Sequence, residues 1–187
     1  LGVRVRVFGV GGAVGPIGDE QIRQAALECF GTEFPLDPDA QVSSITETAT
    51  GVEITFKDAN GAEVTESFDY LLAATGRRPN VDQLGLENTS VQLDERGIPL
   101  FDVHTLQCSP AHIFIAGDAN NHLPLLHEAA DEGVIAGRNA ALLPDVTAGH
   151  RTVPLAVVFS DPQIASIGLR PAQIEQQFAG RYAEAAF

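Results

Sequence analysis

The sequence predicts an α/β fold interrupted by an antiparallel β meander, and three observations carry that prediction. Two stretches, DEQIRQAALECF and LLHEAADEGVIAGRNAALL, show helix-period patterning between short apolar segments of strand character. Between Ala40 and Phe68 the period changes to three short alternating strands, QVSSI, GVEITF and AEVTESF, joined by turn residues. Finally, IFIAGDAN runs from a strand-like segment into a glycine and a carboxylate just before the second helix. That order places Asp118 at the carboxyl end of a buried strand, where ligands of open α/β sheets sit.

Composition narrows the function classes. The 187 residues carry a net charge of −14 without a basic patch, which argues against nucleic-acid phosphate as a partner. No apolar run is long enough to span a bilayer, so no membrane partner is expected. The chain starts at Leu1 and contains no methionine, so it reads as an excised segment. Its two cysteines, Cys29 and Cys108, match no metal or redox spacing, and Cys29 is expected on the apolar side of a helix as a small hydrophobe. No metal site is expected.

Taken in order, LGVRVRVF alternates Val3, Val5 and Val7 with arginines, as a strand does. The glycine-rich GVGGAVGPIG that follows fails the dinucleotide fingerprint, because Val14 stands where the third glycine should be, so it reads as a flexible connection. Asp19 to Phe30 is an amphipathic helix with Ile22, Ala26, Cys29 and Phe30 on one face and Gly31 just past its end. Asn60-Gly61 marks a hairpin inside the meander. Tyr70 to Ala74 is apolar throughout, as expected of a strand covered on both faces. It ends in TGRRPN, whose Arg77 and Arg78 could attract a phosphate or equally sit in a solvated turn or a salt bridge.

Val81 to Gln107 reads as a connector with short strands at Val91 to Leu93 and Pro99 to Phe101. In the second helix, expected to start near Leu126, the stripe Ala129, Gly133, Ala136, Gly137 and Ala140 would let it lie close to a sheet. Its N-terminal amides would face the same crevice as Asp118, and Gly117 would let a ligand approach the backbone. An aspartate that merely caps the turn is the competing reading. His127, in the first turn, suits a packing residue or a catalyst. Beyond Pro144 a linker leads to a further apolar strand and to PAQIEQQF, a helix with proline at its first position, which is read as the start of another domain.

Standing in order, LLAATGRRPN, IFIAGDAN, LLHEAADEG and VVFSDPQIASIGL together resemble the pyridine nucleotide-disulfide oxidoreductases, FAD-dependent flavoproteins, and most closely the dihydrolipoamide dehydrogenases. The resemblance covers essentially the whole chain. It implies parts of two Rossmann-like (FAD/NAD(P)-linked reductase) domains with the meander, plus the start of an α+β interface domain. Residues 1–77 would be the later part of the NAD(P)-binding domain, 78–150 the closing part of the FAD-binding domain, and 151–187 the opening of the dimerisation domain. It also implies a cytoplasmic homodimer that passes electrons between NAD or NADP and a small-molecule or lipoyl disulfide through FAD.

By the same likeness, Asp118 would hydrogen-bond the ribityl chain of FAD, with Gly117 beside it, and Leu125, Leu126 and His127 would lie at the pyrimidine edge of the flavin. Val42 and Gly76 would line the nicotinamide nucleotide. Gly9 stands where the family carries an acid for the NAD ribose, and Cys108 where threonine is common. The first FAD fingerprint, the redox cysteine pair and the histidine-glutamate pair are absent from the sequence, so no catalytic side chain is expected in this chain. Glutathione-, mercuric-reductase- or transhydrogenase-like chemistry is an alternative, as is a non-catalytic binding or assembly module that keeps the fold.

Overall fold

A computed structural model describes residues 2–185; Leu1, at the head of the predicted first strand, and the last two residues lie outside them. The chain divides into two compact units, Leu1–Ala74 with Val153–Phe187, and Thr75–Thr152.

The first unit contains β1 (Val7–Phe8), α1 (Glu20–Gly31), β2 (Leu36–Asp37), β3 (Val42–Thr48), β4 (Gly51–Lys57) and β5 (Glu63–Phe68). Strands β1 and β2 pair in parallel across α1, the smallest form of a βαβ unit. The meander forms as the alternation requires, an antiparallel sheet in the order β3-β4-β5. Its central strand buries Val52, Ile54 and Phe56 on one face, and Phe8, Val64 and Phe68 close over them. The Phe8 and Phe56 rings meet edge to face at 5.0 Å, and the Arg6 guanidinium lies 4.5 Å from the Phe56 ring centroid while pairing with Glu66 at 3.0 Å. An arginine can cover apolar rings in this way while its charge stays paired. Asp58 shapes the turn from β4 to β5 by accepting from the amides of Asn60 and Ala62.

Asp19 caps α1 by accepting from the Ile22 amide at 2.9 Å. The helix buries Ala26 and Phe30, whereas Ile22 and Cys29, expected on the same face, are exposed. A two-strand sheet covers only a narrow stripe of helix. Val3 and Val5 are likewise exposed, since the ladder with β2 holds Val7 and Phe8 alone. The later part of this unit is a hairpin of β8 (Leu155–Val158) and β9 (Ile164–Ile167), followed by α3 (Pro171–Phe178), which starts with its proline as expected.

The second unit is built on a short antiparallel pair, β6 (Gln107–Cys108) and β7 (Ile113–Phe114), and on α2 (Leu126–Leu142). Leu106, Ile135 and Ala136 form its core, with Phe101, Phe114 and Ala116 packed around them. Of the two short strands expected in the connector, only an isolated bridge between Leu93 and Pro99 forms.

Two strand expectations are corrected here. IFIAGDAN does not make a buried parallel strand: β7 ends at Phe114 and pairs antiparallel with β6. Tyr70 to Ala74 forms no strand, and Tyr70 is 93% and Leu72 88% exposed. Both segments have the composition of interior strands, but a strand exists only by pairing, and among the described residues no parallel neighbour pairs with either. The small-residue stripe of α2 is corrected too. Gly133 and Gly137 face open space, and the buried face is Glu128, Glu132, Ile135, Ala136 and Asn139.

Candidate functional site

The site grows from the end of β7. The Ile115 amide donates to the Leu106 carbonyl at 3.0 Å, carrying the hairpin pairing one step further before the chain turns at Gly117. Gly117 has φ of +70°, and a Cβ there would stand 3.0 Å from the Ala129 Cβ on α2. Only glycine satisfies both the backbone sign and that contact. The same glycine therefore also makes room for the helix that packs behind the turn.

Gly117–Asn120 then forms a single 3₁₀ turn, closed by Asn121 in the left-handed region. Asp118 is its second residue and points outward, with a side chain 54% exposed. It is not at a strand terminus, as the sequence suggested, but it is a displayed carboxylate beside a helix start. Arg77 forks between the two elements: Nη1 donates to Asp118 Oδ2 at 2.7 Å and Nη2 to the Pro124 carbonyl at 2.8 Å. The alternatives left open for the arginine pair thus resolve into ion pairs, Arg78 with Asp82 being the second.

At the start of α2, Leu125 is the extended N-cap residue and no side-chain hydrogen bond caps the helix. Leu126 is exposed and His127 lies in the first turn. Amides at such an end carry partial positive charge. A displayed acid and a positive helix end are therefore held side by side. This pair can take a ligand with hydroxyls to donate and an electron-rich edge to be stabilised. One arm of the Asp118 carboxylate is engaged by Arg77, and a carboxylate keeps acceptor capacity beyond one such bond. A flavin, with its polyol chain and its electron-rich ring edge, is a ligand of that chemical kind.

Behind the turn lies a polar network that the sequence reading missed. Glu132, 1% exposed, accepts through Oε2 from the Gly117 amide and from Asn120 Nδ2, both at 2.7 Å. Its Oε1 accepts from Arg151 Nη2 at 3.0 Å, and the same nitrogen reaches Glu128 Oε2 at 3.0 Å. The signal was available, since Glu128 and Glu132 are in helical phase with Ile135, Ala136 and Asn139. Acids in phase with a core stripe are acids that need buried partners.

The remaining candidates are placed less tightly. Gly9 and Val42 belong to the first unit and Gly76 to the second. Gly9 is pressed against Pro38, where a Cβ would lie 2.7 Å from the carbonyl oxygen, so this position has no room for an acid. Val42 begins β3 and Gly76 has open space around it. A cavity of about 650 Å³ is an open depression in the first unit whose acids and bases include Arg6 and Asp58, already engaged with Glu66 and with the Asn60 amide. Burial pushes the Cys108 thiol up, which keeps it protonated and inert. Among the described residues, no cluster of histidine, cysteine and acid side chains could hold a metal ion.

Comparison with known proteins bears on this geometry. The family model described as pyridine nucleotide-disulphide oxidoreductase matches residues 1–133. The dihydrolipoyl dehydrogenase of Bacillus subtilis (strain 168) is 38% identical over 138 residues, 74% of this chain and 28% of that protein. The dihydrolipoyl dehydrogenase of Chlamydia trachomatis is 32% identical over 186 residues, 95% of this chain and 37% of that protein. Among solved structures, LpdA from Mycobacterium tuberculosis superposes with a TM-score of 0.67 at 29% identity, over 86% of this chain and 34% of its own. The HOCl-induced flavoprotein disulfide reductase RclA from Escherichia coli, as its Cu(II) complex, gives a TM-score of 0.72 at 22% identity over 95% and 39%, a likeness of fold alone. The chain spans 28% to 37% of the length of these two curated relatives. It shares the mixed α/β, partial flavoprotein disulfide reductase fold. The chain belongs to the pyridine nucleotide-disulphide oxidoreductase family.

Proposed function

We propose that this chain supplies one wall of the flavin site, and part of the nicotinamide nucleotide domain, of an FAD-dependent NAD(P)-disulfide oxidoreductase of dihydrolipoyl dehydrogenase type. The observation that carries the reading is the pairing of the displayed Asp118 with the side-chain-uncapped start of α2, bridged by Arg77. FAD, when bound, supplies the two-electron relay between nicotinamide and disulfide. This chain's part is to bind and orient: Asp118 accepts hydrogen bonds from ribityl hydroxyls, and the α2 start offers positive charge to the pyrimidine edge of the ring.

The division at about 77 and 150 into NAD(P), FAD and interface portions belongs to this proposal, as do a lipoyl or small-molecule disulfide substrate, NAD or NADP as partner cofactor, and a cytoplasmic homodimer. Among the described residues no helix is long and apolar enough to cross a membrane.

The test uses the complete gene product that carries this chain. Purified protein is expected to show a flavin visible spectrum and NAD(P)H-dependent reduction of lipoamide. Asp118→Ala is expected to raise the FAD dissociation constant about tenfold, the loss of one or two good hydrogen bonds to a charged group. A complete product without flavin, or an Asp118→Ala variant with unchanged affinity, would remove the flavin assignment.

A further inference from the structure

Glu132 is a carboxylate at the centre of the second unit, 1% exposed, where an unpaired charge would be very costly. Its partners are not scattered. Oε2 takes the Gly117 amide and the Asn120 side chain, the two residues on either end of the 3₁₀ turn that displays Asp118. Oε1 takes Arg151, which also satisfies Glu128. Asn120 continues the chain of bonds, its Oδ1 accepting from the His122 amide at 2.9 Å. Apolar packing on the turn is limited to the approach of Gly117 to Ala129 and to the half-buried Ala119, and its second residue faces outward. The fixed points are the carboxylate beneath it and the Arg77 fork above.

We infer that Glu132 is the positioning residue for the cofactor acid: with Arg151 as its counter-ion, it builds the turn that sets where the Asp118 carboxylate stands. The inference rests on the flavin reading of Asp118 and deepens it. A neutral glutamine would keep the shape but offer one acceptor oxygen and an amide that confronts the donors of Asn120 or Arg151. The charge is therefore as necessary as the length.

The experiment is a double-mutant cycle in the complete gene product, read as FAD dissociation constant after apoprotein reconstitution, together with hydrogen exchange at the peptide containing Gly117. Glu132→Gln is expected to weaken FAD about tenfold and to speed exchange at that peptide. Asn120→Ala, which removes one donor and leaves the ion pair, is expected to act in the same direction by about threefold, and it serves if Glu132→Gln does not fold. Combined with Asp118→Asn, Glu132→Gln should add little further loss, because it acts through Asp118. Multiplying losses in the double variant, or variants that bind FAD like wild type with unchanged exchange, would overturn the inference. If wild type itself binds no flavin, the flavin reading fails separately. The exchange arm then decides alone: faster exchange supports Glu132 as the holder of the turn, and unchanged exchange refutes it.

Discussion

The place of Asp118 just before the start of α2 was legible in the sequence, because a glycine and an acid end the apolar run there and the helix period begins soon after. What holds it was not legible. Arg77 and Glu132 reach the turn across 41 and 15 residues of chain respectively, and charged pairs at such separations leave no local pattern. Gly117 shows the same limit, since its function as the contact point for Ala129 depends on a helix that the sequence places only roughly. Gly117→Ala should destabilise the second unit by about 1–3 kcal/mol, from the positive φ and the 3.0 Å approach together. Thermal melting of the variant reads this directly, and an unchanged midpoint would refute the contact.

Asp102 offers a residue-level test with a pH sign. Its carboxylate accepts chiefly from the Thr105 amide, then from the His104 amide and the Thr105 hydroxyl, and it titrates below its ordinary value of 3.8. A folded pKa below the unfolded one gives stability that is present above the ordinary carboxylate range and is lost as pH falls through the lowered value. The advantage of wild type over Asp102→Asn should therefore be full above about pH 5 and shrink on further acidification. A pH-independent difference would show that the side chain acts by shape alone.

Among elements, the meander and both main helices were legible because each carries its own period, and α1 carries a side-chain cap besides. Asp19 is the clearest case, and Asp19→Ala should cost about 1 kcal/mol in chemical denaturation of the first unit. Phe56→Ala, which empties the centre of the meander core, should cost about 3–5 kcal/mol. Comparable losses for the two variants would mean that the core is not where the structure puts it. Tyr70 to Ala74 and Ile113 to Ala116 show why the remaining strands departed from expectation. Their apolar composition describes the environment of an interior strand, but the ladder itself depends on neighbours that local sequence does not supply.

At the scale of the whole molecule, the chain carries an acid, a helix end and a network that fixes them, and it spans only 28% to 37% of the length of two curated relatives. The sequence contains no glycine loop of the dinucleotide type to hold a pyrophosphate and no paired cysteines to exchange electrons with a ring. A few hydrogen bonds, each worth about 1 kcal/mol net, do not offset an association cost of about 4–15 kcal/mol. One wall alone should therefore not retain flavin, and the same wall in its complete protein should. The most direct measurement is the FAD retained per polypeptide after gel filtration, for the isolated chain and for the complete gene product on the same column. The account predicts negligible flavin on the isolated chain and stoichiometric flavin on the complete product; stoichiometric flavin on the isolated chain, or none on the complete product, would contradict it.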